Sequence, residues 1–196
     1  MMNKLMGFFE LQKSSLPTIP WKEYDNNIQL DSVLLWTIRS AVFNGPDLNL
    51  PRLVGVNSNE AKVFADELVK KLKNKGIVIY YPYFIAEKSG IINVFNDRTV
   101  IEAVKADLWN LVTLSDRDVT IQVNEGKIEY NGDSNFLKEE ELKKLLDQVP
   151  RIKAEFRNYL IEGKSILLEW SFAFNCDLNK NPIGEQYLVF YEARTV

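Results

Sequence analysis

The C-terminal segment constrains the fold most. In "ILLEWSFAF" and "YLVFYEARTV" side chains alternate with the period of two that marks a β-strand. Ile166, Leu168, Trp170, Phe172 and Phe174 share one face of the first run, and Tyr187, Val189, Tyr191 and Ala193 share one face of the second. With the polar loop "NCDLNKNPIGEQ" between them, the two runs predict an antiparallel hairpin with a continuous core face. The opposite face carries Glu169 on one strand and Glu192 and Arg194 on the other. A hairpin symmetric about its loop sets Glu169 across from Glu192, and like charges directly opposed destabilise a sheet. Two arrangements resolve the conflict. Arg194 and a nearby lysine can act as counterions on a solvated face, or a divalent cation such as Mg²⁺ can be held by oxygens from both strands.

The rest of the chain supports an α+β fold, a mostly antiparallel sheet with packed helices. "NSNEAKVFADELVKKLKNKG" predicts a helix. Asn57 and Glu60 have capping-box spacing, Ala61, Phe64, Ala65, Leu68, Val69 and Leu72 form one apolar stripe, and Gly76 takes the position after the end. Pro17 and Pro20 favour extended geometry, so residues 1–30 read as an irregular arm and 31–196 as one domain. Asp31 is placed to cap a short helix over "SVLLWTIRSAVF", and "NGPDLNLPRLVG" reads as a loop. "IVIYYPYFI" and "GIINVF" read as a hairpin joined by "AEKSG", with Pro82 demoting the first strand to an edge. "RTVIEAV" reads as a strand and "KADLWNLV" as a short helix. "DVTIQV" and "KIEY" form a hairpin about "NEG", and residues 137–162 are helical with a break at Pro150.

Composition narrows the chemistry. The 196 residues include no histidine and one cysteine, Cys176. That excludes an intrachain disulfide, His-ligated zinc and any Ser-His-Asp or Cys-His centre. A net charge of −3 carries no footprint for nucleic acid or an anionic membrane. The first apolar run stops at Glu10, too short for a signal-peptide core, so a cytoplasmic protein is expected. Asp177, Asn179 and Asn181 lack the glycine and bidentate glutamate of a calcium loop and read as turn formers.

Several segments, taken in order, resemble the nucleotide-binding domain of the phosphoenolpyruvate synthase and pyruvate phosphate dikinase family, which has an ATP-grasp fold. "AEKSGIINV" is similar to its strand-turn-strand segment with a Ser-Gly pair, here Ser89 and Gly90. "TVIEAVKADLWNLV" is similar to "vIEa–GLGE–V", "ILLEW" to "DIEW", and "YLVFYEARTV" to the terminal "QARP" strand. "IRSAVFNGPDLNLPRLVG" is similar to its Arg-Ser segment. The resemblance implies the C-terminal part of an ATP-grasp domain with a reduced N-terminal subdomain.

It also implies residue roles. Glu169 matches the metal-binding acid of "DIEW". Glu192 stands for the Gln of "QARP", keeping an oxygen ligand for Mg²⁺, and Arg194 for its Arg. Arg39 matches a phosphate-contacting arginine and Glu102 the Glu of "vIEa". Tyr81 and Tyr83 fall beside the adenine pocket, where Tyr83 would stack on the base of ATP. Against this, "GLGE" has become Ala106-Asp107-Leu108-Trp109, with both glycines lost. Three readings follow: a Mg-nucleotide-binding domain served by a partner chain with phosphohistidine or phosphoenolpyruvate-binding domains, a degenerate scaffold without catalysis, or an unrelated α+β protein-interaction module. If active, the chain would be an ATP-dependent phosphotransferase. A homo-oligomer is equally open.

Overall fold

The structure is a computed structural model that describes residues 2–47, 49–108 and 117–196. It is α+β, with two antiparallel sheets of four and six strands. The chain divides into two compact units. The first comprises Met1–Thr18, Ala86–Ala173 and Gln186–Val196, and the second Ile19–Ile85 and Phe174–Glu185. Among the described residues no helix is long and apolar enough to cross a membrane.

The second unit contains the four-stranded sheet. Strands β1 (Lys22–Glu23), β2 (Trp36–Val42), β3 (Arg52–Val56) and β4 (Gly76–Pro82) lie in the order β1-β4-β2-β3. Helix α2 (Ser58–Leu72) follows β3 and a single 3₁₀ turn follows the helix. As its sequence predicts, Asn57 caps α2, accepting from Asn59 N at 3.1 Å and Glu60 N at 3.0 Å. Ala61, Ala65 and Leu68 go into a core with Trp36, Ile38, Val78 and Tyr80.

Three expectations fail in this unit. The segment after Asp31 forms strand β2 instead of a helix. It is an interior strand buried from Trp36 to Ala41 on both faces, so its apolar run carries no period to distinguish it from a buried helix. Asp31 serves a local turn, accepting from Val33 N at 2.9 Å. The end of "NGPDLNLPRLVG" is strand β3, and Gly76 opens β4 while Lys73, with φ of 45°, ends the helix.

The six-stranded sheet has the order β10-β9-β5-β6-β7-β8. Its strands are β5 (Phe84–Val94), β6 (Arg98–Lys105), β7 (Val119–Asn124), β8 (Lys127–Gly132), β9 (Ile166–Cys176) and β10 (Pro182–Thr195). Residues of β5, β9 and β10 belong to both units. The predicted β7–β8 hairpin turns at Glu125 and Gly126, both at positive φ, as a two-residue hairpin requires. "AEKSG" is no turn. It lies inside β5, where Ser89 pairs with Val104 and Gly90 with Ala103, and the chain breaks at Tyr83 instead. Helices α3 (Glu139–Leu146), α4 (Val149–Glu155) and α5 (Arg157–Ile161) cover the predicted helical stretch, and Pro150 sits in the first turn of α4. The short helix expected over "KADLWNLV" lies largely outside the described residues.

The first unit also contains α1 (Lys4–Lys13), in a region whose sequence reads as an irregular arm. Asn3 caps it by accepting from Met6 N at 2.9 Å. Its apolar residues lie on more than one side and Gly7 interrupts it, so periodicity does not reveal it. Tertiary packing of Leu5, Phe8 and Leu11 holds it. Gly7 is where the helix meets β10, since a Cβ there would stand 1.9 Å from Ala193 O. The strand beyond is covered too, with Phe190 N donating to Pro17 O at 2.7 Å and Thr18 bridging Phe190 in parallel.

The core of this unit takes Ile166, Leu168, Trp170 and Phe172 from β9, as alternation predicts. From β10 it takes Leu188, Phe190 and Ala193, so the even positions replace the expected Tyr187 and Val189 until the parity changes before Ala193. Val189 and Tyr191 are also buried. With both faces of β10 covered, alternation alone does not identify the core-facing set.

Candidate functional site

The residues singled out by sequence divide between the units. Glu102, Glu169, Glu192 and Arg194 lie in the first, and Arg39, Tyr81 and Tyr83 in the second.

Glu192 is the most informative. Its residue is only 3% exposed on β10. Arg194, two residues on and so on the same side of the strand, donates from Nε at 2.8 Å and Nη2 at 2.6 Å to Oε1. Lys4 Nζ, brought by α1, stands 3.5 Å from Oε2. The close approach at Gly7 allows this, because residues 4 and 7 share a helix face. Of the two resolutions open to the acidic hairpin face, the chain's own cations supply the one seen at Glu192. Glu169 is half-buried on β9.

A Mg²⁺ site asks for several oxygen ligands around an open centre. Among the described residues no group of three or more His, Cys, Asp or Glu side chains is placed to hold a metal ion. A carboxylate whose two oxygens already face a guanidinium and an ammonium does not fit that role. Glu102, half-buried on β6, is engaged by Arg117.

Ser89 and Gly90 have structural work. Ser89 Oγ and Ser171 Oγ share a buried hydrogen bond of 2.8 Å across the sheet. A Cβ on Gly90 would lie 2.0 Å from Glu102 O and 2.6 Å from the Trp170 ring, so glycine lets the indole lie against the strand. Ala106 has a left-handed φ of 61°.

In the second unit Arg39 is buried on β2, paired with Ile79 on one side and Arg52 on the other. Tyr81 is buried on β4 and stacks on Phe84 at a centroid distance of 6.4 Å. Tyr83 N donates to Leu35 O at 2.8 Å, and its carbonyl accepts from Cys176 Sγ at 3.9 Å. Its ring lies 3.2 Å from where a Cβ on Gly55 would stand, and Lys180 Nζ sits 5.8 Å from its centroid. Both tyrosines are thus in contact with groups of the chain itself, which is packing of the kind their strand pattern also predicts.

Sequence reading missed a second buried charge cluster. Glu141 on α3 accepts from Lys88 Nζ at 2.6 Å and Lys138 N at 2.8 Å, with Gln186 Nε2 at 3.4 Å from its other oxygen. Burial pushes the Glu141 carboxyl up, but the hydrogen bonds from Lys88 and the Lys138 amide outweigh it and hold the group below the ordinary carboxylate range. Its signal was a Glu at the third helical position, where a capping box places one, in a run of three glutamates that masks it. Cys176 is an inert thiol: burial, then Asp177, pushes its pKa up. Asp177 is a turn former as expected, accepting from Asn179 N and Asn181 N at 2.8 Å each.

No family model matches the chain, and no curated protein matches it.

Proposed function

We propose that the chain is a cytoplasmic, non-catalytic binding scaffold, a degenerate relative of the ATP-grasp nucleotide-binding domain that works through contact with a partner protein. The observation that carries this reading is Glu192. Phosphoryl transfer is chiefly positioning and neutralisation of phosphate charge by metal and cations. A residue matched to a metal ligand, and the arginine matched beside it, instead neutralise each other with Lys4. Glu102, on β6, is likewise engaged, by Arg117. Each contact occupies a carboxylate that the resemblance assigns to Mg-nucleotide binding.

Titration calorimetry with Mg-ATP tests the reading. The expected result is no heat and no Mg²⁺-dependent rise in Tm. Saturable heat that Glu169→Ala with Glu192→Ala abolishes overturns it in favour of a nucleotide-binding domain.

A further inference from the structure

The six-stranded sheet has two edges, and the chain treats them differently. Outside β10 the Pro17 carbonyl accepts from Phe190 N at 2.7 Å, and Thr18 bridges the same residue. Outside β8, among the described residues, no strand pairs. All six residues of β8 are exposed, and they include Ile128 and Tyr130, at 42% and 44%. A bare edge that presents large apolar side chains is a template for a further strand.

The β7–β8 register decides what that edge offers. Asp133 N donates to Asp118 O at 2.8 Å, and the ladder runs unbroken from there to the closing pair Asn124–Lys127. Antiparallel pairs alternate between bonded and non-bonded. Lys127, Glu129 and Asn131 therefore bond towards β7, while the N–H and C=O of Ile128 and Tyr130 point outwards. Side chains alternate as well. Ile128 and Tyr130 stand opposite Val123 and Ile121 on the core face, and Lys127 and Glu129 stand opposite the uncharged Asn124 and Gln122 on the other.

We propose that β8 pairs with β8 of a second copy, antiparallel and centred on Ile128. A two-fold axis perpendicular to the sheet keeps every side chain on its own face. Ile128 then faces Ile128 of the second copy, and the two exchange their outward hydrogen bonds. Lys127 of each copy faces Glu129 of the other across a non-bonded pair, where side chains come closest. The triplet Lys127-Ile128-Glu129 is thus its own antiparallel complement. Centring one residue later sets Glu129 against Glu129, which like charges oppose. Centring on Tyr130 brings in Gly132, at φ of 102°, where the strand ends. Once paired, both copies have used their bare edge and β10 is already covered, so association stops at two. The contact needs neither nucleotide nor another kind of chain, so it goes beyond the scaffold reading and does not depend on it.

Sedimentation velocity of the full chain from about 10 µM to 1 mM tests the pairing. So short a strand contact belongs at the weak end of specific interfaces, with a Kd of roughly 0.1–1 mM. A monomer–dimer equilibrium with no larger species is expected. Lys127→Glu and Glu129→Lys each turn two attractive pairs into repulsive ones and should weaken the dimer about tenfold. The two substitutions in one chain swap the charges and should restore it. Mixing the two single variants should give a heterodimer, because one copy then carries two acids and the other two bases at facing positions. Ile128→Pro removes the outward N–H without touching a bond to β7 and should abolish association, with circular dichroism checking that the fold is kept. A monomer throughout the range, a dimer indifferent to either single charge change, or a double variant no better than the singles overturns the proposal. Mg-ATP heat bears only on the scaffold reading and sedimentation only on this pairing, so the failure of one leaves the other standing.

Discussion

Lys88 Nζ stands 2.6 Å from Glu141 Oε2, with the two side chains only 13% and 4% exposed. Charges this deep are costly to strand. Lys88→Met should therefore destabilise the chain by about 3–5 kcal/mol, because it leaves the carboxylate buried without its ammonium. Adding Glu141→Gln should recover most of the loss, and urea denaturation of the single and double variants measures it. Equal destabilisation in both would mean that the methylene stem of Lys88, and not its charge, holds the site.

The same pair sets a pH dependence. The folded Glu141 carboxyl lies below its unfolded value of about 4.3. The stability it contributes is fully present above that value and is lost as pH falls through the lower folded value. Glu141→Gln should flatten the acid limb of a stability-versus-pH curve while changing little of its shape above pH 6. An unchanged acid limb would remove Glu141 as a source of acid sensitivity.

At the α1–β10 contact the two cations are unequal. Arg194 makes two hydrogen bonds to Glu192 and Lys4 one longer ion pair, but Arg194 keeps 24% of its side chain exposed. Arg194→Met should cost about 3 kcal/mol, the low end for a broken buried pair, and Lys4→Met about 1 kcal/mol. The ordering is what matters, read from urea midpoints at constant m-value. If Lys4→Met costs more, the helix dock and not the guanidinium dominates the neutralisation of Glu192.

Sequence made some elements legible and hid others for physical reasons. The α2 stripe, the β7–β8 turn, the Pro150 break and the core face of β9 were readable, because each has one buried side or a residue with fixed geometry. Strand β2 and the inner face of β10 were not, since burial on both sides erases the period that distinguishes strand from helix. Helix α1 was hidden because its formation depends on docking at Gly7. Glu192 and Arg194 stand two residues apart on one strand, so their meeting follows from strand alternation. Lys4, distant in sequence, was invisible until the helix placed it.

Gly90 offers a test of what the Ser-Gly pair is for. Its missing Cβ leaves room for the Trp170 ring and for the Glu102 carbonyl, which a methyl would approach to 2.6 and 2.0 Å. Carbonyl and indole cannot both move without opening the β5–β6 pairing at Ala103 or the core beneath it. Gly90→Ala should cost at least the 1–3 kcal/mol typical of overpacking, accompanied by a change in Trp fluorescence. A neutral effect on both would show that the sheet relaxes locally and that the glycine serves no packing role.

Ala106 makes the opposite prediction. It holds a φ of 61°, a conformation costing an L-residue roughly 1–2 kcal/mol, and its N–H donates to Glu87 O at 2.9 Å. The tie to Glu87 and the bond from Lys105 N to Asp118 Oδ2, at 2.9 Å, keep the chain in this turn despite the strain. Ala106→Gly relieves the strain but frees the unfolded chain by about 0.4–1 kcal/mol. The net expectation is a gain of about 0.5–1 kcal/mol, seen as a higher urea midpoint with m unchanged. A loss of stability would mean that the Ala106 methyl contributes packing that outweighs its backbone strain. A gain would show that the turn favours glycine at this position.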